Sequence, residues 1–206
     1  MQSFNLEAIC YTPQSLVNIR ECIPHYKVKD IAKINPEKLY ELGIKGLVFD
    51  KDNTLTAPYS NKIYPAIASA FEEFKYWFED NIVILSNSAG TCDDPQNVDA
   101  LTIERDLGIK VILHDAKKPG GIYSLMKYFN SDLKLGINPS DLAMFGDRVL
   151  TDVVFGNRHE MLTIYVQPFT SMNDNFFATC SRGFERWLSK GKAKYHPKYN
   201  ENVLIR

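Results

Sequence analysis

Paired cysteines are missing from this chain. Cys10, Cys22, Cys92 and Cys180 stand far apart and form no CxxC, which argues against a zinc site and against the disulfide framework of a small secreted domain. A reducing compartment is the simplest reading. No apolar run approaches the roughly 18 residues needed to span a bilayer. An excess of one charge is also lacking: 24 Lys and Arg against 25 Asp and Glu leave a formal net charge of -1. There is thus no global basic field for nucleic acid, and any anion must be bound locally. Residues 1–20 carry one Arg, one Glu and little Ser, a poor match to an Arg-rich transit peptide, so the N-terminus alone does not assign a compartment.

What is present suffices for one domain with a full core: 206 residues, 45% of them apolar and 12% aromatic. The stretch around which the rest is organised is Leu47-Val48-Phe49-Asp50-Lys51-Asp52-Asn53-Thr54-Leu55. Three apolar residues read as the end of a buried strand, and the chain then breaks into two carboxylates one residue apart. In an extended backbone Asp50 and Asp52 project to the same side. Two acids so placed require either a divalent cation between them or a raised pKa.

Strands and helices alternate along the chain, as a parallel sheet requires. In the first segment Leu16, Ile19 and Ile23 share a helical face, readable as a helix packed on the domain or as an amphipathic helix facing a membrane. Asn35-Pro36-Glu37 opens a short helix that Gly43 closes before the first strand. Pro65 opens a second helix with Ile67, Ala70, Phe71, Phe74 and Phe78 on one face. A strand over 82–85 ends in Ser86-Asn87-Ser88, Asp94-Pro95 begins a helix finishing at Gly108, and 109–113 forms a third strand. His114-Asp115-Ala116-Lys117-Lys118-Pro119-Gly120-Gly121 leads into a helix with Ile122, Leu125, Met126 and Phe129 inward. A fourth strand over 142–145 ends in Gly146-Asp147-Arg148-Val149-Leu150-Thr151-Asp152, residues 151–157 can form a short helix, and 161–166 a fifth strand. Residues 168–181 read as irregular and 183–190 as a terminal helix.

These residues resemble the haloacid dehalogenase superfamily of phosphohydrolases, whose first motif is an apolar strand followed by Asp, any residue, Asp. The forms Asp-Lys-Asp-Asn-Thr, Ser-Asn-Ser, Lys-Lys-Pro-Gly and Gly-Asp-Arg with a later Thr-Asp resemble more narrowly the mitochondrial phosphatidylglycerophosphate phosphatases and their bacterial relatives. The resemblance implies a three-layer α/β Rossmannoid fold with a central parallel sheet in the order 3-2-1-4-5 (5-4-1-2-3 from the other side) and no large cap domain. One domain is expected over 1–206, with its core at about 44–166, an N-terminal helical extension over 1–43, and a C-terminal helix and tail over 168–206. The order places Asp147 beside Asp50, because ligands bind where strand order reverses.

By the same resemblance Asp50 is the nucleophile and Asp52 the general acid and then base. Mg²⁺ would be held by Asp50, the main-chain carbonyl of Asp52, and Asp147, with Asp152 holding metal-bound water. Ser86 would bind the transferring phosphoryl group, Asn87 would add a contact, and Lys118 is chosen over Lys117 to neutralise charge. His114 could touch a second phosphate or be a hydrogen-bonded structural residue, and Arg148 could grip an anion or pair with an acid. The implied reaction is hydrolysis of phosphatidylglycerophosphate to phosphatidylglycerol for cardiolipin synthesis, at the matrix face of the inner mitochondrial membrane, with a cytoplasmic location as alternative. No nucleic acid is expected and no protein partner is inferable. A phosphatase for a soluble sugar or nucleotide phosphate and a receiver-like phosphate-binding module are the competing readings. For membrane contact the candidates are the N-terminal helix and the stretch where Phe176, Phe177, Phe184 and Trp187 lie near Arg182, Arg186, Lys190, Lys192 and Lys194.

Overall fold

The computed structural model describes residues 19–169, 193–199 and 205–206. The expected terminal helix, most of the irregular stretch before it, Leu16 and all the aromatic and basic membrane candidates except Lys194 lie outside the described residues. Among the described residues no helix is long and apolar enough to cross a membrane.

Six strands form one parallel sheet: β1 (Tyr26–Val28), β2 (Gly46–Phe49), β3 (Ile82–Ile84), β4 (Lys110–Val111), β5 (Leu142–Gly146) and β6 (Leu162–Val166), in the order β1-β6-β5-β2-β3-β4. The last five reproduce the expected 3-2-1-4-5 order. The sixth is a correction to the five-strand expectation, since the segment read as a helical extension supplies β1 beside β6, with Tyr26 opposite Ile164 and Val28 opposite Val166. Upstream of it only a single 3₁₀ turn, Ile19–Cys22, is described.

Helices cover both faces: α1 (Pro36–Glu41), α2 (Ala68–Phe78) and α3 (Val98–Leu107) on one, α4 (Ile122–Lys127) and α5 (Val154–Arg158) on the other. Local chemistry fixes their ends. Asn35 Oδ1 accepts from the main-chain N–H of Glu37 at 3.0 Å and Lys38 at 3.4 Å, with Pro36 as the first helical residue. At the start of α3 the cap position is Asn97, which makes no side-chain cap, and the carboxylate of Asp94 instead accepts from the N–H groups of Asp99 and Ala100, each at 2.9 Å. Gly108, at φ +65°, ends that helix in the left-handed conformation.

Alternation in β2 divides the core. Leu47 and Phe49 face α1–α3 and pack with Phe71, Phe74, Ile103 and Phe145, while Val48 faces Leu125, Phe129 and Phe155 on the other side. Each such large side chain, fully buried, contributes about 1.5–3 kcal/mol. Phe49 and Phe145 stack across β2 and β5 with ring centroids 4.5 Å apart. That stack lies directly beneath the residues that follow the two strands, so a fully buried aromatic pair forms the floor of the site.

The strand order reverses between β2 and β5. Phe49 aligns with Phe145, and Asp50 N–H bonds Phe145 O at 2.8 Å, so Asp50 leaves the sheet level with Gly146. At the opposite edge of the sheet, where the strands begin, the segment 193–199 closes back on the domain. Lys198 Nζ reaches Gly43 O and Asp141, and His25 Nε2 lies 3.0 Å from Lys194 O. Residues 205–206 pair elsewhere, with the segment that follows β1 and with α2: Ile205 bridges Ile34, Arg206 N–H bonds Lys33 O at 2.8 Å, and the Arg206 guanidinium pairs with Glu73.

Candidate active site

Three carboxylates meet where the strand order reverses. Asp50 follows β2, Asp147 follows β5, and Asp152 lies in the π-helical turn Val149–Val153 that leads into α5. One oxygen from each lies within 4.8 Å of the others. The wide turn and Gly146 together make this approach possible. Asp152 Oδ2 accepts from Arg148 N–H at 3.1 Å, and a Cβ on Gly146 would overlap the Asp152 carboxylate.

Lys118 enters the cluster from the loop after β4. Its ammonium donates to Asp50 Oδ1 at 2.7 Å and lies 2.6 Å from Asp152 Oδ1, although the side chain is 1% exposed. Burial opposes the charge of Lys118, but Asp152 and Asp50 outweigh it and raise the pKa above the ordinary lysine value. Burial pushes the Asp152 carboxyl up, with Lys118 pulling the other way and Asp50 adding to the rise. Three acids face one lysine. The excess of two negative charges, carried by oxygen ligands only, fits a hard divalent cation.

The other expected site residues take more particular places. The Asp52 carboxylate is outside the three-acid cluster, about one-third exposed, and bonded to Lys51 Nζ at 2.7 Å. Ser86 Oγ lies 3.1 Å from Ser88 Oγ and accepts from the N–H of Ser88 and Ala89 at 3.2 and 3.3 Å, at the end of β3. Asn87, expected to add a phosphate contact, has its amide on the main chain of Lys118: Oδ1 accepts Lys118 N–H at 2.7 Å, and Nδ2 lies 3.4 Å from Lys118 O. Between the two candidate lysines the geometry is unequal, since Lys117 pairs with Asp93 at the rim.

His114 is buried, with Nδ1 2.6 Å from Ala116 O and Nε2 2.9 Å from Ser86 O, so of its two readings the hydrogen-bonded structural one describes it. Burial lowers its pKa, and the two carbonyls oppose that shift. Two features escaped the sequence reading. Lys51, flanked by acids and given no role in the sequence reading, is 5% exposed. Gly146 makes room for Asp152, and its place directly before Asp147 was the available signal.

Fold and site together define a parallel α/β protein with an acidic, lysine-bearing centre at its switch point. The family described as "Mitochondrial PGP phosphatase" matches residues 6–169, and the chain belongs to it. It is 39% identical over 198 residues to phosphatidylglycerophosphate phosphatase 1, chloroplastic/mitochondrial, of Arabidopsis thaliana, covering 92% of this chain and 55% of that protein. To the probable phosphatase YqeG of Bacillus subtilis it is 35% identical, covering 87% of this chain and 96% of that protein. To phosphatidylglycerophosphatase GEP4, mitochondrial, of Saccharomyces cerevisiae it is 28% identical, covering 83% and 91%. The chain thus spans 55% of the Arabidopsis relative and 63% of a Chlamydomonas reinhardtii one. No solved structure shows a significant match.

Proposed function

We propose that this chain is a Mg²⁺-dependent phosphomonoester hydrolase that removes the terminal phosphate of phosphatidylglycerophosphate, giving phosphatidylglycerol for cardiolipin synthesis. The observation that carries this reading is the placement of the Lys118 ammonium between Asp50 and Asp152, with Asp147 in the same cluster. Relatives named for this phosphatase activity support the substrate, and those named mitochondrial, from two yeasts, support residence in the mitochondrion, where we place the chain at the matrix face of the inner membrane by its family resemblance.

In this reading an Asp50 oxygen attacks phosphorus as the ester P–O bond breaks, and Asp52 gives a proton to the departing glycerol oxygen. Water then attacks the aspartyl-phosphate, Asp52 takes its proton, and the P–O bond to Asp50 breaks to release phosphate. Lys118 offsets charge on Asp50 and the phosphoryl oxygens, and Ser86 presents its hydroxyl to the same group. Mg²⁺ held by Asp50, Asp147, the Asp52 carbonyl and, through water, Asp152 would supply Lewis-acid stabilisation of the phosphoryl oxygens. No cap covers the strand ends among the described residues, so a headgroup still embedded in a bilayer can approach a peripherally bound enzyme.

The test is Mg²⁺-dependent phosphate release from phosphatidylglycerophosphate in mixed micelles, beside soluble sugar and nucleotide phosphates. Asp50→Asn, which keeps the shape and removes the nucleophile, should release no phosphate while melting as a folded protein. Preference for a soluble ester would refute the lipid assignment and retain the chemistry. Release by Asp50→Asn would refute the mechanism.

A further inference from the structure

Lys118 reaches the acids from an exposed flank of the sheet. β4 is an edge strand of two residues, and the last main-chain bond tying its continuation to β3 is Ile112 N–H to Ile84 O at 2.9 Å. Six residues later the Lys118 ammonium is fixed between two carboxylates. A lysine has four side-chain torsions to order, so a loop free to drift would lose that placement.

Contacts from the end of β3 replace the missing sheet bonds. Asn87 Oδ1 accepts the Lys118 N–H at 2.7 Å and Nδ2 lies 3.4 Å from its carbonyl, gripping the main chain of one residue through both of its flanking peptides. Two residues earlier in the loop, the His114 ring spans 2.6 Å to Ala116 O and 2.9 Å to Ser86 O, while His114 N–H bonds Gly90 O at 2.8 Å. Both partners are carbonyl oxygens, so the neutral ring holds one of them by its single N–H and leaves its other nitrogen facing a second acceptor. Gly121 leaves room for this: a Cβ there would come within 2.8 Å of Ala116 O and 3.2 Å of His114 Nδ1.

We propose that Asn87, backed by His114, is a positioning residue that registers Lys118 against the acid cluster, and that its amide does not serve the phosphate directly. This rests on the phosphatase reading for its consequence in turnover, but the positioning itself is measurable without turnover. Lys118 and Lys51 are both buried lysines held by carboxylates, the first by Asp50 and Asp152, the second by Asp52. Lys51 is therefore an internal control.

The experiment is acetylation of the full chain with an activated acetyl ester, followed residue by residue by mass spectrometry, in Asn87→Ala and His114→Ala. Loss of one net hydrogen bond to a buried group should raise Lys118 labelling about tenfold, with Lys51 labelling unchanged. Labelling of Lys118 at the wild-type rate in Asn87→Ala, or a parallel rise at Lys51 and Lys118, overturns the proposal. Should His114→Ala fail to fold, His114→Gln, which can keep only the bond to Ser86 O, is read in the same way. Kinetics on p-nitrophenyl phosphate form the second arm: Asn87→Ala should lower kcat with KM little changed, and Asn87→Asp, which still accepts from Lys118 N–H, should restore part of the Lys118 protection. A raised KM at unchanged kcat would make Asn87 a phosphate contact and overturn the proposal. If no phosphomonoester is turned over by the wild type, the phosphatase reading fails while the labelling result still decides the positioning.

Discussion

Replacing Lys118 with methionine removes the ammonium between Asp50 and Asp152 while retaining most of the side-chain volume. Distances of 2.7 and 2.6 Å, with the Asp152 and Lys118 side chains each 1% exposed, put this pair among buried ion pairs. Removing one partner of such a pair costs about 3–5 kcal/mol, because the remaining charge stays buried without compensation. For a chain of this size that is a fall of roughly 6–20 °C in the thermal midpoint at neutral pH without metal. The pH dependence has a definite sign. Burial already raises the Asp152 pKa against the pull of Lys118, and without Lys118 it rises further. An acid whose native pKa exceeds its unfolded value contributes stability below the unfolded pKa, and that stability is lost as pH rises through the native value. The deficit of Lys118→Met should therefore shrink as the pH is lowered from 7.5 towards the ordinary carboxylate range. Thermal midpoints of both proteins in EDTA across that range are the assay, with Asp152→Asn added to Lys118→Met expected to recover more than half of the loss. A neutral-pH deficit below about 1 kcal/mol, the range of exposed pairs, or one that grows towards acid, would refute the reasoning.

Asp147→Asn removes one of three clustered carboxylates, and the rise in thermal midpoint that Mg²⁺ gives the wild type should be reduced; an unchanged metal titration would remove Asp147 from the metal site. Gly146→Ala places a methyl group on the Asp152 carboxylate and should displace it, costing about 1–3 kcal/mol by overpacking, as read from denaturant midpoints; a neutral substitution would contradict the described approach. Lys51→Met frees the Asp52 carboxylate from its ion pair with Lys51, and phosphate release should fall at least about tenfold if Asp52 must be held for proton transfer; wild-type kcat would show that Lys51 is dispensable.

The strands that carry the site were legible because each ends in a run of polar residues that cannot continue a buried strand. Leu47-Val48-Phe49 before Asp50, and Ala143-Met144-Phe145 before Gly146-Asp147, announce both the sheet and its functional edge. β1 was not legible: Tyr26-Lys27-Val28 is too short for periodicity to speak, and only its pairing with β6, more than 130 residues away, makes it a strand. Nor could spacing say where the Asn87 amide points, since a polar side chain at a strand end may turn towards a ligand or a neighbouring loop. Its partner, the Lys118 peptide, is 31 residues distant and in another turn of the fold. Lys51 illustrates the same limit, because a lysine between two aspartates suggests solvent until the three-dimensional path buries it.

The closure of 193–199 on the flank where the strands begin gives the described residues two unlike ends. The 3₁₀ turn at Ile19–Cys22 is held by Arg158 on Glu21 and by the Asn157 amide on the carbonyls of Glu21 and Ile23, and its Cys22 packs on Val149 and Val153 of the turn that carries Asp152. The acids and Lys118 open at the other end, on loops drawn wholly from the middle of the chain. A dye or support coupled at Tyr195, 87% exposed within the segment 193–199, would therefore grip the protein from behind, leaving the strand ends that carry Asp50 and Asp147 pointed outward, as a tool held by its handle.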